Sequence, residues 1–216
     1  QWLPDKLRLV RDLMRRERVD FLHNIKIRTY DDRVLPPDEQ MDLRNCSFSV
    51  RVGPGFRGAG LHKFPKLWYC VWNNSAISIR RDFVLQDQDL VKFLKILNGT
   101  NGVDWLLTLY AFEHGIAIHV PRPLTILNTH NFFDGLSTPP ERRLLSAIKM
   151  RQDHLRVFEF LSAKCRTRTC KLVVDFLKMA DYPYYFFIYD GNRVDLRPRK
   201  AIARFLGENL ASYFML

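Results

Sequence analysis

The stretch GVDWLLTLYAFEHGIAIHVP, residues 102–121, joins a helical pattern to a strand pattern at a single glycine. Residues 103–115 are predominantly apolar and end in Gly115, a residue that commonly terminates a helix. Residues 116–121 (IAIHVP) are short, apolar and rich in β-formers, which predicts a strand. A helix that leads directly into a strand is the repeating unit of an α/β layer architecture.

The chain before this stretch alternates in the same way. Pro4 stands where a first helical residue belongs, and apolar residues then recur at helical spacing, which predicts an amphipathic helix. VDFLHNIKI (19–27) predicts a buried strand, and the polar turn YDDR follows it. DLVKFLKIL (89–97) predicts another helix. This alternation through residue 121 predicts the α/β class.

Glycine and proline concentrate in residues 35–65, including VGPGFRGAG (52–60), and predict a long loop. The glycines do not follow the order GxxxxGK[ST], so they do not indicate a phosphate-binding loop. WYCVWNNSAISIRR (68–81) predicts two extended pieces separated at Asn73 and Asn74.

Composition indicates an ordinary globular protein. The chain has 216 residues, 47% of them hydrophobic, which is enough for one substantial core. No apolar run approaches the roughly 20 residues that span a bilayer, and no signal peptide is recognisable. The four cysteines have no CxxC spacing, so we expect neither a zinc site nor a disulfide framework, and a cytoplasmic location. They are Cys46, Cys70, Cys165 and Cys170.

The net charge is +11, and residues 141–216 carry much of it, with 15 Lys and Arg against 8 Asp and Glu. A basic surface attracts phosphates of nucleic acids, lipid headgroups or nucleotides alike, so the sign does not choose among them. In this region TPPE (138–141) predicts a helix start, with Thr138 as N-cap and Glu141 completing a capping box. Residues 171–216 predict a short helix, an aromatic run and a last amphipathic helix.

Four segments, in order, resemble family 2 glycosyltransferases of the GT-A fold. WLPDKL (2–7) is similar to the stretch that follows that family's metal-binding Asp-x-Asp signature, which would place the signature just before Gln1. The other three are VDFLHNIKIRTYDDRVL (19–35), NNSAISIRRDFV (73–84) and the run from Gly102 to Ser137. The resemblance implies a GT-A-like mixed sheet flanked by helices over residues 1–137, followed by a basic, mainly helical C-terminal extension over 138–216.

The resemblance also implies an activity. Family members of this kind transfer a sugar from a nucleotide-diphosphate sugar to a glycan, lipid-linked or protein acceptor, with inversion and with Mn²⁺ or Mg²⁺ as cofactor, in polysaccharide biosynthesis. Asp104 matches the position of the catalytic base, although Val103 precedes it where many members have a second acid. His130 matches a histidine that reaches the metal or diphosphate. The alternatives are an ordinary acid at a helix N-terminus and a surface histidine.

Three other positions match the substrate side of the family. Arg80 and Arg81 end the predicted strand and suit a diphosphate, because guanidinium groups bind phosphate in a bidentate manner. Asn74 precedes that strand, and Trp105 adjoins the proposed base, where an indole would stack on a sugar. The alternatives are arginines that solvate a strand end and a tryptophan that belongs to the core. Ser137 would hold the loop of His130 or assist the Thr138 cap.

Several tempting residues receive no functional assignment. Asp31 and Asp32 lie in a turn after the strand, so we do not assign them a metal. His23 is interpreted as a strand residue. The glycines at 52–60 are interpreted as a mobile loop on the acceptor side.

Two further classes of function stay open. One is a basic nucleic-acid-binding module, which we consider unlikely because the arginines do not alternate with exposed aromatic residues. The other is a noncatalytic interaction module. The basic C-terminal helix, with an apolar stripe beside its arginines, suggests peripheral contact with an anionic membrane surface, and packing against the main domain or a second copy is the alternative. The oligomeric state is not indicated by the sequence.

Overall fold

The fold is described by a computed structural model for residues 3–30, 33–34, 48–58, 76–97, 102–128 and 140–189. In chain order the elements are α1 (Lys6–Glu17), β1 (Phe21–Tyr30), β2 (Arg33–Val34), β3 (Val50–Val52), a 3₁₀ turn (Pro54–Phe56), β4 (Ile77–Ile79), α2 (Arg81–Leu85), α3 (Gln88–Leu97), α4 (Val103–His114), β5 (Ala117–Asn128), α5 (Pro140–Lys164) and α6 (Arg168–Tyr189).

The five described strands form one open mixed sheet in the order β2-β1-β5-β3, with β4 pairing β1 as well. The pairing of β1 with β5 is parallel, from Phe21 opposite Ala117 to Thr29 opposite Asn128. β5 takes one edge of β1, so the two short antiparallel strands β4 and β2 share its other edge, at opposite ends. A mixed sheet with helices packed against it confirms the α/β class.

β5 is longer than the sequence predicts. The IAIHVP pattern stops at Pro121, yet the strand runs to Asn128 through Pro121 and Pro123. Proline has no amide hydrogen for a sheet ladder, and it is tolerated in a strand where the ladder is irregular. The β1–β5 register shifts between Asn24 and Lys26, opposite these prolines.

The predicted loop over residues 35–65 contains regular structure among its described residues. Val50–Val52 forms β3 and pairs antiparallel with β5, with Val50 and Val52 buried and Arg51 exposed. Three residues are too few to show a strand period in sequence, so the loop prediction was wrong at β3 because a distant strand supplies the pairing.

The helices of the predicted C-terminal extension share a core with the rest of the chain. One hydrophobic cluster joins Phe21 of β1, Leu109 of α4, Phe158 of α5 and Leu177 of α6. A smaller cluster lies on the other face of the sheet, under α1, around Leu22. α5 and α6 are therefore part of the same packed body as the sheet. Among the helices described above, none is both long and apolar enough to cross a membrane.

Gly115 fixes the turn from α4 into β5 by close approach. A β-carbon at this position would lie 2.8 Å from the ring of Phe83 and 3.1 Å from a carboxylate oxygen of Asp20. The backbone is extended there, so the requirement is for space rather than for a positive φ. The Asp20 carboxylate accepts a hydrogen bond from the Ile116 amide at 2.9 Å, which ties the start of β5 to the start of β1.

A buried carboxylate links α4 to the start of α6. Oε1 of Glu113 accepts hydrogen bonds from the amides of Arg166 and Thr167 at 2.5 and 2.7 Å, and Oε2 accepts one from the Thr167 hydroxyl at 2.8 Å. The Thr167 hydroxyl in turn accepts the amide of Cys170 at 3.2 Å, which caps α6. Glu113 is 3% exposed, so its carboxylate depends on these hydrogen bonds rather than on water.

The turn between α5 and α6 carries a disulfide between Cys165 and Cys170. The expectation that no disulfide forms was therefore wrong for this pair. A separation of five residues contains no recognised motif, but the first turn of α6 brings Cys170 back beside Cys165. Disulfides are uncommon in reducing compartments, so this bond does not favour the expected cytoplasmic location, which stays a prediction.

Asp87 joins three helices through a hydrogen-bonded ion pair. Its carboxylate accepts hydrogen bonds from the amides of Asp89 and Leu90 at the start of α3. It also accepts one from the Tyr110 hydroxyl at 2.8 Å and pairs with the Lys164 ammonium at 3.0–3.1 Å. Burial alone would raise the pKa of Asp87, but the hydrogen bonds from Lys164, Tyr110 and Leu90 outweigh burial and lower that pKa from 3.8 to about 2.

We expect Glu113→Ala to lower the free energy of unfolding by about 2–3 kcal/mol, because it removes the charged acceptor of two part-buried amides and of the Thr167 hydroxyl. Glu113→Gln keeps one acceptor oxygen and is expected to cost less. Urea denaturation measures both, and Glu159→Ala on the exposed face of α5 is the matched control. Equal stability of Glu113→Ala and Glu159→Ala would contradict the capping role.

The lowered pKa of Asp87 predicts an acid-sensitive contribution to stability. A carboxyl with a depressed folded-state pKa stabilises the fold fully above its unfolded value, and that contribution is lost as the pH falls from about 4 through about 2. Wild type is thus expected to lose more stability over this range than Asp87→Asn, by chemical denaturation at each pH. Asp175→Asn, at an exposed site on α6, is expected to follow wild type. Identical acid slopes for wild type and Asp87→Asn would contradict this.

Candidate functional site

Asp104 lies in the first turn of α4, as the sequence predicts. Its Oδ1 accepts a hydrogen bond from the amide of Trp105 at 3.0 Å. The side chain is partly buried. It is therefore held at the N-terminal end of a well-packed helix, where its orientation is fixed by the backbone.

The surroundings of Asp104 favour its protonated form. Burial raises the pKa of Asp104 above its ordinary value, and the hydrogen bond from Trp105 and the charges of His154 and Lys26 offset only part of that effect. A carboxyl whose pKa is raised is better suited to accept and hold a proton than an ordinary surface aspartate. The dipole of the helix stabilises the ionised form of an acid at the helix N-terminus. An acid with no other influence on it would therefore have a lowered pKa.

His154 of α5 packs beside Asp104 through the neighbouring tryptophan. The imidazole stacks on the indole of Trp105, with ring centroids 4.7 Å apart, and both residues are buried. Trp105 also contacts Phe158. Trp105 thus lies in the core. The sequence leaves this position open as the alternative to stacking on a sugar.

Gly102 allows α5 to approach the start of α4. Its φ of +91° is one that side chains rarely adopt, and a β-carbon there would lie 3.0 Å from the His154 ring and 3.3 Å from Val157. The glycine at this helix start therefore brings His154 close to Asp104.

Arg80 and Arg81 lie far from Asp104. Arg80 follows β4, and its amide donates to the carbonyl of Asp20 at 2.9 Å, beside the C-terminal end of α4. Asp104 lies at the other end of α4, roughly 15 Å away at 1.5 Å per residue. Arg81 begins α2 and is exposed. These arginines therefore share no pocket with Asp104 in the part of the chain described.

Asn74, His130 and Ser137 lie outside the described residues, and so do Asp31 and Asp32. Their assignments stay predictions. Within the described ranges, no three His, Cys, Asp or Glu side chains are grouped closely enough to hold a metal ion. The Mn²⁺ or Mg²⁺ site that the resemblance implies depends on His130 and on residues before Gln1, so it too stays a prediction.

No family model, no curated protein and no solved structure matches this chain. The case for function therefore depends on the residues themselves.

Sequence reasoning missed the buried histidines of the sheet as a pair. His23, predicted as a strand residue, lies in β1, and His119 lies opposite it in β5. Their Nδ1 atoms are 2.8 Å apart and their rings are stacked. Two imidazoles that share a hydrogen bond cannot both be charged at those nitrogens. The sequence places each histidine in a predicted strand, but only the register makes them partners.

A second polar group is buried between the sheet and α1. The Thr125 hydroxyl accepts hydrogen bonds from Lys6 Nζ and from Asn24 Nδ2, both at 3.0 Å. Burial lowers the pKa of Lys6 from 10.5 to about 8. Sequence reasoning treated Lys6 only as part of the WLPDKL motif, because a lysine in an amphipathic helix is usually exposed.

The raised pKa of Asp104 predicts that its ionised carboxylate lowers the free energy of unfolding. Because the folded-state pKa exceeds the unfolded value, the folded protein loses stability as the pH rises from the unfolded pKa through the folded pKa, and the full cost is present above the folded pKa. Asp104→Asn keeps the acceptor oxygen for Trp105 and removes the charge. It is expected to be more stable than wild type at neutral pH, and the difference should vanish at acid pH.

Thermal melts of both proteins from neutral to acid pH test this prediction. Asp175→Asn is the matched control and is expected to change neither the melting temperature nor its pH dependence by a comparable amount. A neutral-pH loss of stability in Asp104→Asn would show instead that the ionised carboxylate stabilises the fold.

Proposed function

We propose that this chain takes part in glycosyl transfer from a nucleotide-diphosphate sugar, with Asp104 as the general base. The observation that carries the proposal is the environment of Asp104: a carboxyl fixed by the Trp105 amide, with a pKa raised by burial, beside the imidazole of His154. The order of motifs that resembles family 2 glycosyltransferases independently selects the same residue.

The chemistry required of Asp104 is simple. The hydroxyl of a glycan, lipid-linked or protein acceptor gives its proton to the Asp104 carboxylate as its oxygen bonds to the anomeric carbon of the donor. The bond from that carbon to the diphosphate oxygen breaks, and the diphosphate leaves with the electron pair, so the configuration inverts. A base with a raised pKa supports proton transfer of this kind.

His154 and Lys26 would assist the base electrostatically. Each is buried, and positive charge on either side chain favours the ionised form of Asp104, which is the form that accepts a proton. They therefore offset part of the effect of burial, which raises its pKa. Mn²⁺ or Mg²⁺, held by the residues that the resemblance implies, would stabilise the leaving diphosphate.

The test is the transfer activity of the protein, assayed for release of nucleoside diphosphate from a panel of nucleotide sugars with Mn²⁺. Asp104→Asn is expected to lower kcat by about 10²–10⁴-fold, the usual contribution of a general base. Asp175→Asn is expected to retain wild-type kcat. Because Asp104→Asn is also expected to fold at least as stably as wild type, a loss of activity would not reflect unfolding.

Binding separates this proposal from the two alternative classes. Protection from thermal unfolding by a nucleotide sugar with Mn²⁺ supports a transferase. Steep, salt-dependent retention on DNA or RNA without such protection would favour the nucleic-acid-binding module. Full transfer activity in Asp104→Asn would remove Asp104 from the mechanism.

A further inference from the structure

A groove lined by arginines lies on the surface between α1 and the segment that joins β4 to α2. Arg11, Arg15 and Arg18 line it from α1, Arg80 lines it from the other side, and Met14 completes its wall. The groove is open and encloses about 460 Å³, within the range of small-ligand sites. It lies at the opposite end of α4 from Asp104, so it is distinct from the proposed catalytic site.

The spacing on α1 places three guanidinium groups together. Residues 11, 15 and 18 are separated by four and three positions, so they follow one another on a single face of the helix. The neighbouring face of α1 buries Lys6 and Val10 against the sheet, and Met14 lies between the two faces. The arginine face is therefore turned away from the core and toward the groove.

Arg80 is held in position by two acids. Its Nε donates to Asp82 at 3.0 Å, its Nη2 also contacts Asp82, and its Nη1 lies 3.4 Å from Asp20. These contacts orient the guanidinium and neutralise part of the local charge. Arg80 thus forms one wall of the groove in a fixed orientation. The positive charge that no acid neutralises must therefore come from the arginines of α1.

The other acids near the groove are already paired. Asp12 accepts from Arg11, and Glu17 pairs with Arg16 and Arg51. Within the described residues, Arg15 and Arg18 have no carboxylate within ion-pair distance. Two guanidinium groups in one groove without anions of their own are suited to a phosphate group, which accepts several N–H donors at once.

Arg18 adopts a backbone conformation that favours glycine. It ends α1 with φ of +49° and ψ of +50°, and the amides of Arg18 and Val19 donate to the carbonyls of Arg15 and Met14. Glycine is the usual residue at this position of a helix C-terminus. An arginine there is disfavoured by the backbone, but it extends the row of guanidinium groups along the groove.

We infer that this groove binds the phosphate group of a phosphorylated ligand, through Arg15 and Arg18 with Arg80 and Arg11 beside them. The ligand chemistry is a phosphate monoester or diphosphate, whether on a soluble molecule or on a lipid headgroup. The assignment does not depend on glycosyl transfer, because none of these residues contacts Asp104.

The experiment measures binding to two probes by the full chain at fixed ionic strength. Inorganic pyrophosphate, followed by calorimetry, represents a soluble ligand. Phosphatidylcholine vesicles with and without phosphatidic acid, followed by flotation, represent a lipid headgroup. Binding to pyrophosphate alone identifies a soluble phosphate ligand, and binding only to phosphatidic acid vesicles identifies a headgroup. Either result supports the proposal when it depends on the groove.

Two double variants test that dependence. Arg15→Gln with Arg18→Gln is expected to weaken binding at least about tenfold. The matched control, Arg8→Gln with Arg16→Gln, removes the same charge from arginines of α1 that pair with Asp5 and Glu17 outside the groove, and is expected to change binding less than about twofold.

Arg18→Gly separates binding from folding. Because glycine adopts the Arg18 conformation readily, this variant is expected to keep or raise the melting temperature while weakening binding about fivefold or more. The proposal is overturned if neither probe binds, if the control double variant loses as much affinity as the groove double variant, or if an oligonucleotide binds while both probes do not.

Discussion

The parallel pairing of β1 with β5 is the constraint on which the rest of the structure depends. Two parallel neighbours need a connection that crosses from the end of one strand to the beginning of the other, and here that connection includes α2, α3 and α4. α4 runs back along the sheet to Gly115, where the Asp20 carboxylate and the Phe83 ring leave no room for a side chain. The start of β5 is thereby fixed against the start of β1.

This arrangement separates two chemical environments. The beginning of α4 places Asp104 beside His154, Trp105 and Lys26, where burial controls the protonation of a carboxyl. The end of α4 lies near Arg80 and the arginines of α1, whose positively charged side chains are exposed to solvent. One helix therefore sets the distance between a buried acid and a cationic surface. A ligand that bound both ends would have to extend along the whole of α4.

The sequence predicts the elements whose signals are local. α1, β1 and α4 all follow from local patterns, which are the apolar spacing after Pro4, the β-rich run after Arg18 and the glycine at 115, although α1 begins at Lys6 rather than at Pro4. The same patterns place Asp104 at the start of a helix, whereas its role as a base comes from the resemblance. The failures share one cause, which is tertiary pairing. β3 has only three residues and depends on β5, and His154 reaches Trp105 across forty-nine residues of chain. No local pattern encodes these contacts. The same limit applies to Arg80, whose separation from Asp104 follows only from the direction of α4.

The disulfide between Cys165 and Cys170 has a consequence for how the two long helices hold together. It spans the turn between α5 and α6, which contains Arg166, and the first residue of α6, which is Arg168; both arginines are exposed. A cleavage of the backbone after either arginine would interrupt the chain without releasing either helix, since the sulfur bridge would still join the two pieces. The carboxylate of Glu113 would lose part of its partners, yet both fragments would stay beside it at high local concentration. A nick in this turn therefore leaves α5 and α6 covalently joined as long as the disulfide is oxidised. After reduction, only the packing of both helices in the shared core would hold them together.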